Sequence, residues 1–239
     1  MAGPPYRLVL TTVNHPFPLL PVPGVNPLIS TRHPVIAFDL DGTLLRGTTT
    51  SLVLAEAMGH RPAVEELERL YSAYEINNFE FASREAALFA GATPAQIREH
   101  LRPAPWIAGV KETLTALTEA GCTLLLATLA WRFAAEELEY RPWFAAVSGA
   151  GMDLEDGALS GRVAQHIDED GKLAFVEAWC RSHDVGLHEI AVVGDSRSDV
   201  PLFQAAGTSI ALNATADARA VADHVIDTED LRDILPLLG

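Results

Sequence analysis

The sequence predicts an α/β fold, a doubly wound and mostly parallel sheet with a small helical cap domain inserted into it. Short apolar runs of strand length alternate with amphipathic stretches of helical spacing from residue 35 onward. One block, residues 47–105, breaks that rhythm and holds no convincing strand. Acidic pairs follow two of the apolar runs directly, where open α/β sheets bind their ligands.

Residues 1–34 carry eight prolines, a density that stops a continuous helix and interrupts any sheet ladder. They read as a Pro-rich N-terminal extension in which only Arg7 to Val13 could pair as an edge strand. The core then opens with Val35-Ile-Ala-Phe38 and resumes with Thr123-Leu-Leu-Leu-Ala-Thr128, Ile190-Ala-Val-Val193 and Ser209-Ile-Ala-Leu212, all read as buried parallel strands. Helical segments at 109–120, 131–139, 171–184, 198–206 and 215–222 supply the crossovers that parallel strands require. The catalytic core is therefore assigned to 35–46 and 106–239, and the helical cap to 47–105. Within that block Val64, Leu67, Leu70, Tyr71 and Tyr74 fall at helical spacing, and Thr93-Pro-Ala-Gln96 has the form of a capped helix start. The Asp156-Gly157 pair inside Leu154 to Leu159 predicts a tight hairpin beside the sheet.

Composition narrows the function. The chain has 239 residues, enough for a full hydrophobic core, and its 32 acidic against 17 basic residues give a formal charge of -15. Such a field repels phosphate backbones, which argues against nucleic acid, and any small anionic substrate needs a local cation at its site. Two cysteines are too few for a disulfide framework and sit in apolar stretches, which points to a cytoplasmic protein. No uninterrupted apolar run reaches membrane-spanning length.

The chemistry concentrates in two loops. Asp39-Leu-Asp-Gly-Thr43 follows the first strand, so two carboxylates stand at its carboxyl end and Gly42 lets the backbone turn close to a ligand. Carboxylates this close repel unless a cation or a shared proton intervenes, and hard Mg²⁺ prefers oxygen ligands. An EF-hand loop also begins Asp-x-Asp, but no terminal Glu stands at the twelfth position. The second loop, Gly194-Asp-Ser-Arg-Ser-Asp199, places Asp195 and Asp199 after another buried strand. Acids at a helix start are ordinary caps, but here both loops end strands of one sheet and could share one cation.

These segments resemble the haloacid dehalogenase superfamily, and within it the phosphoserine-phosphatase-like branch with a helical cap, over roughly residues 35–238. Four motifs carry the resemblance: Asp39-Leu-Asp-Gly-Thr43, the hydroxyl of Thr128 after the second strand, Lys172, and Gly194 to Asp199 followed by Ala206-Gly-Thr-Ser-Ile-Ala-Leu-Asn213. On their own, Thr128 is a strand-end hydroxyl and Lys172 a solvated helix residue. The resemblance implies a Rossmann-like core and a Mg²⁺-dependent phosphohydrolase that cleaves a small phosphorylated metabolite through an aspartyl phosphate. It implies Asp39 as nucleophile, Asp41 as acid and base, and Thr128 and Lys172 on the phosphoryl oxygens. It also implies Mg²⁺ held by Asp39, the Asp41 backbone carbonyl and Asp195, with Asp199 in support. His166 and His183 read as surface or structural histidines.

Substrate contacts are expected from Thr43, Thr48, Leu129 and Arg84. Where phosphoserine phosphatases place a Glu for the substrate ammonium, ungapped alignment from Asp39 gives Thr48. Where they place a cap Arg for the carboxylate, alignment through Phe79-Glu80 gives Ala86, with Arg84 two residues away on another helix face. Leu129-Ala130 replaces that family's Gly-Gly. These departures predict poor use of phosphoserine and a different small phosphomonoester. The alternatives are phosphoserine phosphatase itself, a phosphotransferase with the same machinery, or a catalytically silent binding module.

Overall fold

A computed structural model describes residues 31–239. The possible edge strand at Arg7 to Val13, and most of the Pro-rich extension, lie outside the described residues. In chain order the elements are β1 (Val35–Phe38), α1 (Thr50–Met58), α2 (Arg61–Ser72), α3 (Asn78–Leu88), α4 (Pro94–Leu101), α5 (Val110–Glu119), β2 (Thr123–Leu126), α6 (Arg132–Glu136) and β3 (Ala146–Val147). There follow β4 (Gly151–Glu155), β5 (Ala158–Gln165), α7 (Glu169–Ser182), β6 (Ala191–Gly194), α8 (Val200–Ala205), β7 (Thr208–Leu212), α9 (Ala216–Arg219) and β8 (His224–Ile226).

Among the described residues six strands form one sheet in the order β3-β2-β1-β6-β7-β8, and every pairing between them is parallel. Strand alternation sorts their side chains onto two faces. Ile36, Phe38, Leu124, Leu126, Ala191 and Val193 pack on one face with Val110, Leu114 and Leu117 of α5. Val35, Ala37, Leu125 and Val192 pack on the other with Phe175, Val176 and Trp179 of α7 and Leu202 and Phe203 of α8. Both faces are covered, which is why the strands read as unbroken apolar runs. The chain leaves β1 toward β2 on one side and returns to β6 on the other, so the loops after β1 and β6 diverge and open a crevice at their carboxyl ends.

Two strands escaped the sequence reading. β3 has two residues and β8 three, too short for either to show a period. Helix bounds also tightened: the 131–139 stretch is helical only over Arg132–Glu136, and the 198–206 stretch starts with a 3-10 turn over Arg197–Asp199. Tyr74, grouped by spacing with Val64 to Tyr71, lies beyond the end of α2 in a left-handed conformation with φ 59°.

Helices α1 to α4 occupy the stretch between β1 and α5. Thr93 accepts the Gln96 N–H at 3.3 Å while the Thr93 N–H donates to the Gln96 side chain at 2.9 Å, closing a capping box at the start of α4. The hairpin β4-β5 turns through Asp156 and Gly157, whose φ values of 52° and 81° are the positive pair a two-residue type I′ turn demands. That hairpin bonds to the loop between α3 and α4, through Gly91 N–H to Leu159 O and Leu159 N–H to Ala92 O, both at 2.8 Å. Cys122 and Cys180 are buried free thiols. Among the described residues no helix is long and apolar enough to cross a membrane.

Candidate active site

A cavity of about 440 Å³ opens at the carboxyl ends of β1, β2 and β6, with α1, α2 and α3 forming its opposite wall. Asp39, Asp41, Thr48, Thr128, Leu129 and Asp195 all line it.

Asp39 is the first residue after β1, and its N–H bonds to Val193 O of β6 at 2.9 Å, so the strand pairing itself sets its position. Lys172, in the first turn of α7, is fully buried, and its Nζ donates to Asp39 Oδ1 at 2.7 Å and to Asp199 Oδ1 at 2.6 Å. The second Asp199 oxygen accepts the N–H groups of Asp195 and Ser196 at 3.0 and 3.1 Å. Asp199 is thus fully occupied as a brace that shapes the loop carrying Asp195. A side chain at Gly194 would meet it, because a Cβ there would lie 2.3 Å from Asp199 Cγ.

Asp39, Asp195 and Asp199 each offer a carboxylate oxygen, and these lie within 4.8 Å of one another. Burial raises Asp39 to about 6 even with the Lys172 charge beside it. Burial, then the neighbouring charges of Asp39 and Asp199, raise Asp195 well above the usual carboxylate range. Burial works against the Lys172 ammonium, yet Asp199 and Asp39 outweigh it and raise its pKa. One ammonium among three carboxylates leaves negative charge uncompensated, and all the donors are hard oxygens, so the cluster fits a divalent cation. Asp195 has the freest side chain of the three, its one side-chain hydrogen bond among the described residues coming from Thr43 Oγ1 at 3.5 Å. Gly42, at φ 85°, is where the backbone turns under Asp195; a Cβ there would sit 2.3 Å from Asp195 Oδ2.

The Asp41 carboxylate stands apart from this cluster. Its Oδ1 accepts the Thr50 N–H at 2.7 Å and its Oδ2 the Thr50 hydroxyl at 3.1 Å, at the start of α1. Burial outweighs these two bonds and raises Asp41 to about 8. Thr128 is buried, and its Oγ1 accepts the Ala130 N–H at 3.0 Å, which leaves its proton to donate. Ser148 holds that loop, accepting the Thr128 N–H and donating to Thr128 O, both at 2.7 Å.

Two expected substrate contacts do not face the cavity. Thr43 is wholly buried beneath it, turned to Asp195. Arg84 is exposed on the far side of α3, because the helical period that brings Asn78, Phe81, Ala82 and Glu85 to the cavity turns Arg84 away. His166 lies edge-on to Phe79 and His183 stacks on Trp179, and neither lines the cavity.

Sequence reasoning passed over three residues that line the site. Glu68 and Glu85 both line the cavity from the helical wall, and Trp131 lines it from the loop after Thr128. Each looked like ordinary helix or core composition; a Glu at an otherwise apolar helix position, Ala82-x-x-Glu85-Ala86, was the available signal for Glu85. Arg197 of the second acidic loop reaches across to α2, its guanidinium 3.8 Å from the Tyr71 ring centroid and 4.1 Å from that of Tyr74.

Comparison with known proteins agrees with this architecture. The family model for haloacid dehalogenase-like hydrolase matches residues 36–204. A phosphoserine phosphatase of Mycobacterium tuberculosis is 28% identical over 86% of this chain, which spans 50% of that protein's length. A phosphoserine phosphatase of Idiomarina loihiensis is 25% identical over 85% of this chain and 93% of its own. Among solved structures, a substrate-bound phosphoserine phosphatase superposes with a TM-score of 0.78 at 21% identity, covering 87% of this chain and 99% of that one. A haloacid dehalogenase family hydrolase from Salmonella enterica serovar Typhi superposes with a TM-score of 0.80 at 16% identity, covering 88% and 73%. The chain belongs to the haloacid dehalogenase-like hydrolase family.

Proposed function

We propose that the chain hydrolyses a small phosphomonoester with Mg²⁺, through a phosphoenzyme on Asp39. The observation that carries this reading is the buried Lys172 ion pair with Asp39, set beside Asp195 in one carboxylate cluster at the sheet's crevice.

Asp39, Asp195 and the Asp41 backbone carbonyl would hold Mg²⁺, with Asp199 bracing the loop. When bound, the ion neutralises the carboxylates and the phosphoryl charge. A carboxylate oxygen of Asp39 attacks phosphorus and the ester P–O bond breaks. The leaving oxygen takes the proton from Asp41, which burial keeps protonated at neutral pH. In the second half Asp41, now a carboxylate, takes a proton from water as that water attacks phosphorus. The acyl-phosphate bond breaks, and phosphate and the Asp39 carboxylate are restored. Thr128 and Lys172 hold phosphoryl oxygens throughout. Segment 47–105 acts as the cap, closing α1 to α3 over the cavity and excluding bulk water.

Hydrolysis of an aryl phosphate with Mg²⁺, lost on chelation and restored by added Mg²⁺, tests the reading. The names of the relatives favour a second, narrower reading, phosphoserine as substrate. Against it stand Thr48 and Ala86 at the two positions where charged contacts to an amino acid are expected. The kcat/KM for phosphoserine decides between them, with about 10⁴ M⁻¹s⁻¹ or more favouring the narrower one.

A further inference from the structure

The helical wall of the cavity carries an unused acceptor. Glu85 on α3 is 2% exposed, and its Oε2 accepts the Trp131 indole N–H at 2.7 Å. Its Oε1 is buried and makes no hydrogen bond of good geometry among the described residues, although the Ser51 hydroxyl of the same cavity wall stands beside the carboxylate and offsets part of the rise in pKa that burial causes. A glutamine would satisfy the indole equally well, so the indole contact does not explain a carboxylate here. A buried carboxylate with one bare oxygen is costly unless a donor arrives.

The surroundings say what kind of donor. Glu68 lines the same cavity, held by the Thr49 hydroxyl at 2.5 Å, so the helical wall presents two carboxylates. Trp131, Tyr71 and Phe81 add aromatic surface. Arg46 is the one Lys or Arg lining the cavity among the described residues, and its guanidinium is turned outward onto Glu229 at 2.9 and 2.6 Å. Carboxylates with aromatic rings and no free cation make a seat for a positive group and repel a negative one.

Resting on the hydrolase reading above, we propose that the leaving group of the substrate carries a protonated amine and no carboxylate. The ammonium donates to Glu85 Oε1 while the phosphoryl group sits at Asp39, so the substrate class is the phosphate monoester of a small amino alcohol. The cavity volume suits a molecule of this size, and the free hydrogen-bond acceptor selects an amine that still bears N–H groups.

Three esters with two-carbon leaving groups test this: O-phosphoethanolamine, ethylene glycol monophosphate and phosphoglycolate. They end in an ammonium, a hydroxyl and a carboxylate. The wild-type enzyme should rank them in that order by kcat/KM, with the ammonium ester at least roughly tenfold above the hydroxyl ester, the scale of one polar contact. In Glu85→Gln, which keeps an acceptor for Trp131, the ammonium-to-hydroxyl ratio should fall toward one. A hydroxyl or carboxylate ester used as well as the ammonium ester would overturn the proposal, as would an unchanged ratio in Glu85→Gln. If that variant does not fold, the wild-type ranking decides alone. Should the wild-type protein hydrolyse none of the three and no aryl phosphate either, the hydrolase reading falls first; activity on an aryl phosphate with the wrong ranking removes only the ammonium seat.

Discussion

The Lys172 ammonium lies 2.7 Å from Asp39 Oδ1 with both side chains buried, so the nucleophile proposed here and its counter-charge form one unit with Asp199. Truncation to Lys172→Ala leaves two buried carboxylates facing each other without it. Turnover should fall by roughly two to three orders of magnitude, the scale for loss of one preorganised electrostatic contact. Stability should also drop by about 3–5 kcal/mol, as when one partner of a buried pair is removed. Steady-state kinetics and urea unfolding read the two effects; a change in turnover below about threefold would return Lys172 to a purely structural role.

Asp41 sets the alkaline side of the reaction. Its pKa is raised to about 8, and the protonated form is the one that serves the leaving group, so single-turnover cleavage should decline as pH rises through about 8. The Thr50 hydroxyl bonds to the ionised carboxylate and lowers that pKa. Thr50→Val should therefore move the alkaline limb to higher pH, and a limb that stays put or moves down would show that Thr50 does not tune Asp41.

Glu85 should cost stability in a defined pH window. Burial raises its pKa from 4.5 to about 7, so the folded protein holds a proton there that the unfolded chain has released. The stability linked to this group is complete below about 4.5 and is lost as pH climbs to about 7. Glu85→Gln lacks that slope, and its stability relative to wild type should improve across the window by at most about 3 kcal/mol. Parallel unfolding curves at every pH would contradict this. A carboxylate kept against its own stability cost, in a cavity wall, is what a ligand contact predicts.

Arg197 ties the β6 loop to the end of α2 by lying against Tyr71 and Tyr74. Tyr71 and Tyr74 in turn donate to Glu169 and Asp217, at 2.7 and 2.8 Å. Lysine cannot reproduce a planar group placed against two rings. Arg197→Lys should weaken the attachment by about 1–2 kcal/mol, seen as faster hydrogen exchange over α2 and a higher KM. Unchanged exchange there would mean that other contacts hold this wall.

Most of the sheet was legible because parallel strands buried on both faces leave apolar runs such as Val35 to Phe38, and the acids that follow such runs mark the crevice. Asp39, Asp41 and Asp195 could be singled out because they follow strands that pair side by side in the sheet. The helical wall was much less legible. Which of Arg84, Glu85 and Ala86 faces the cavity depends on the rotation of α3 about its axis, and that is set by packing against the β4-β5 hairpin, a contact between segments far apart in sequence. Arg197 was invisible for the same reason: its partners Tyr71 and Tyr74 come from more than a hundred residues earlier.

The central claim is a covalent phosphoenzyme on Asp39, and rapid quenching of wild-type protein mixed with Mg²⁺ and an aryl phosphate, followed by peptide mapping, tests it most directly. A hydroxylamine-labile phosphate on the peptide that carries Asp39, formed at a rate at least equal to turnover and absent from Asp39→Asn, is the expected result. Near wild-type turnover in Asp39→Asn, or label on a different residue, would contradict it.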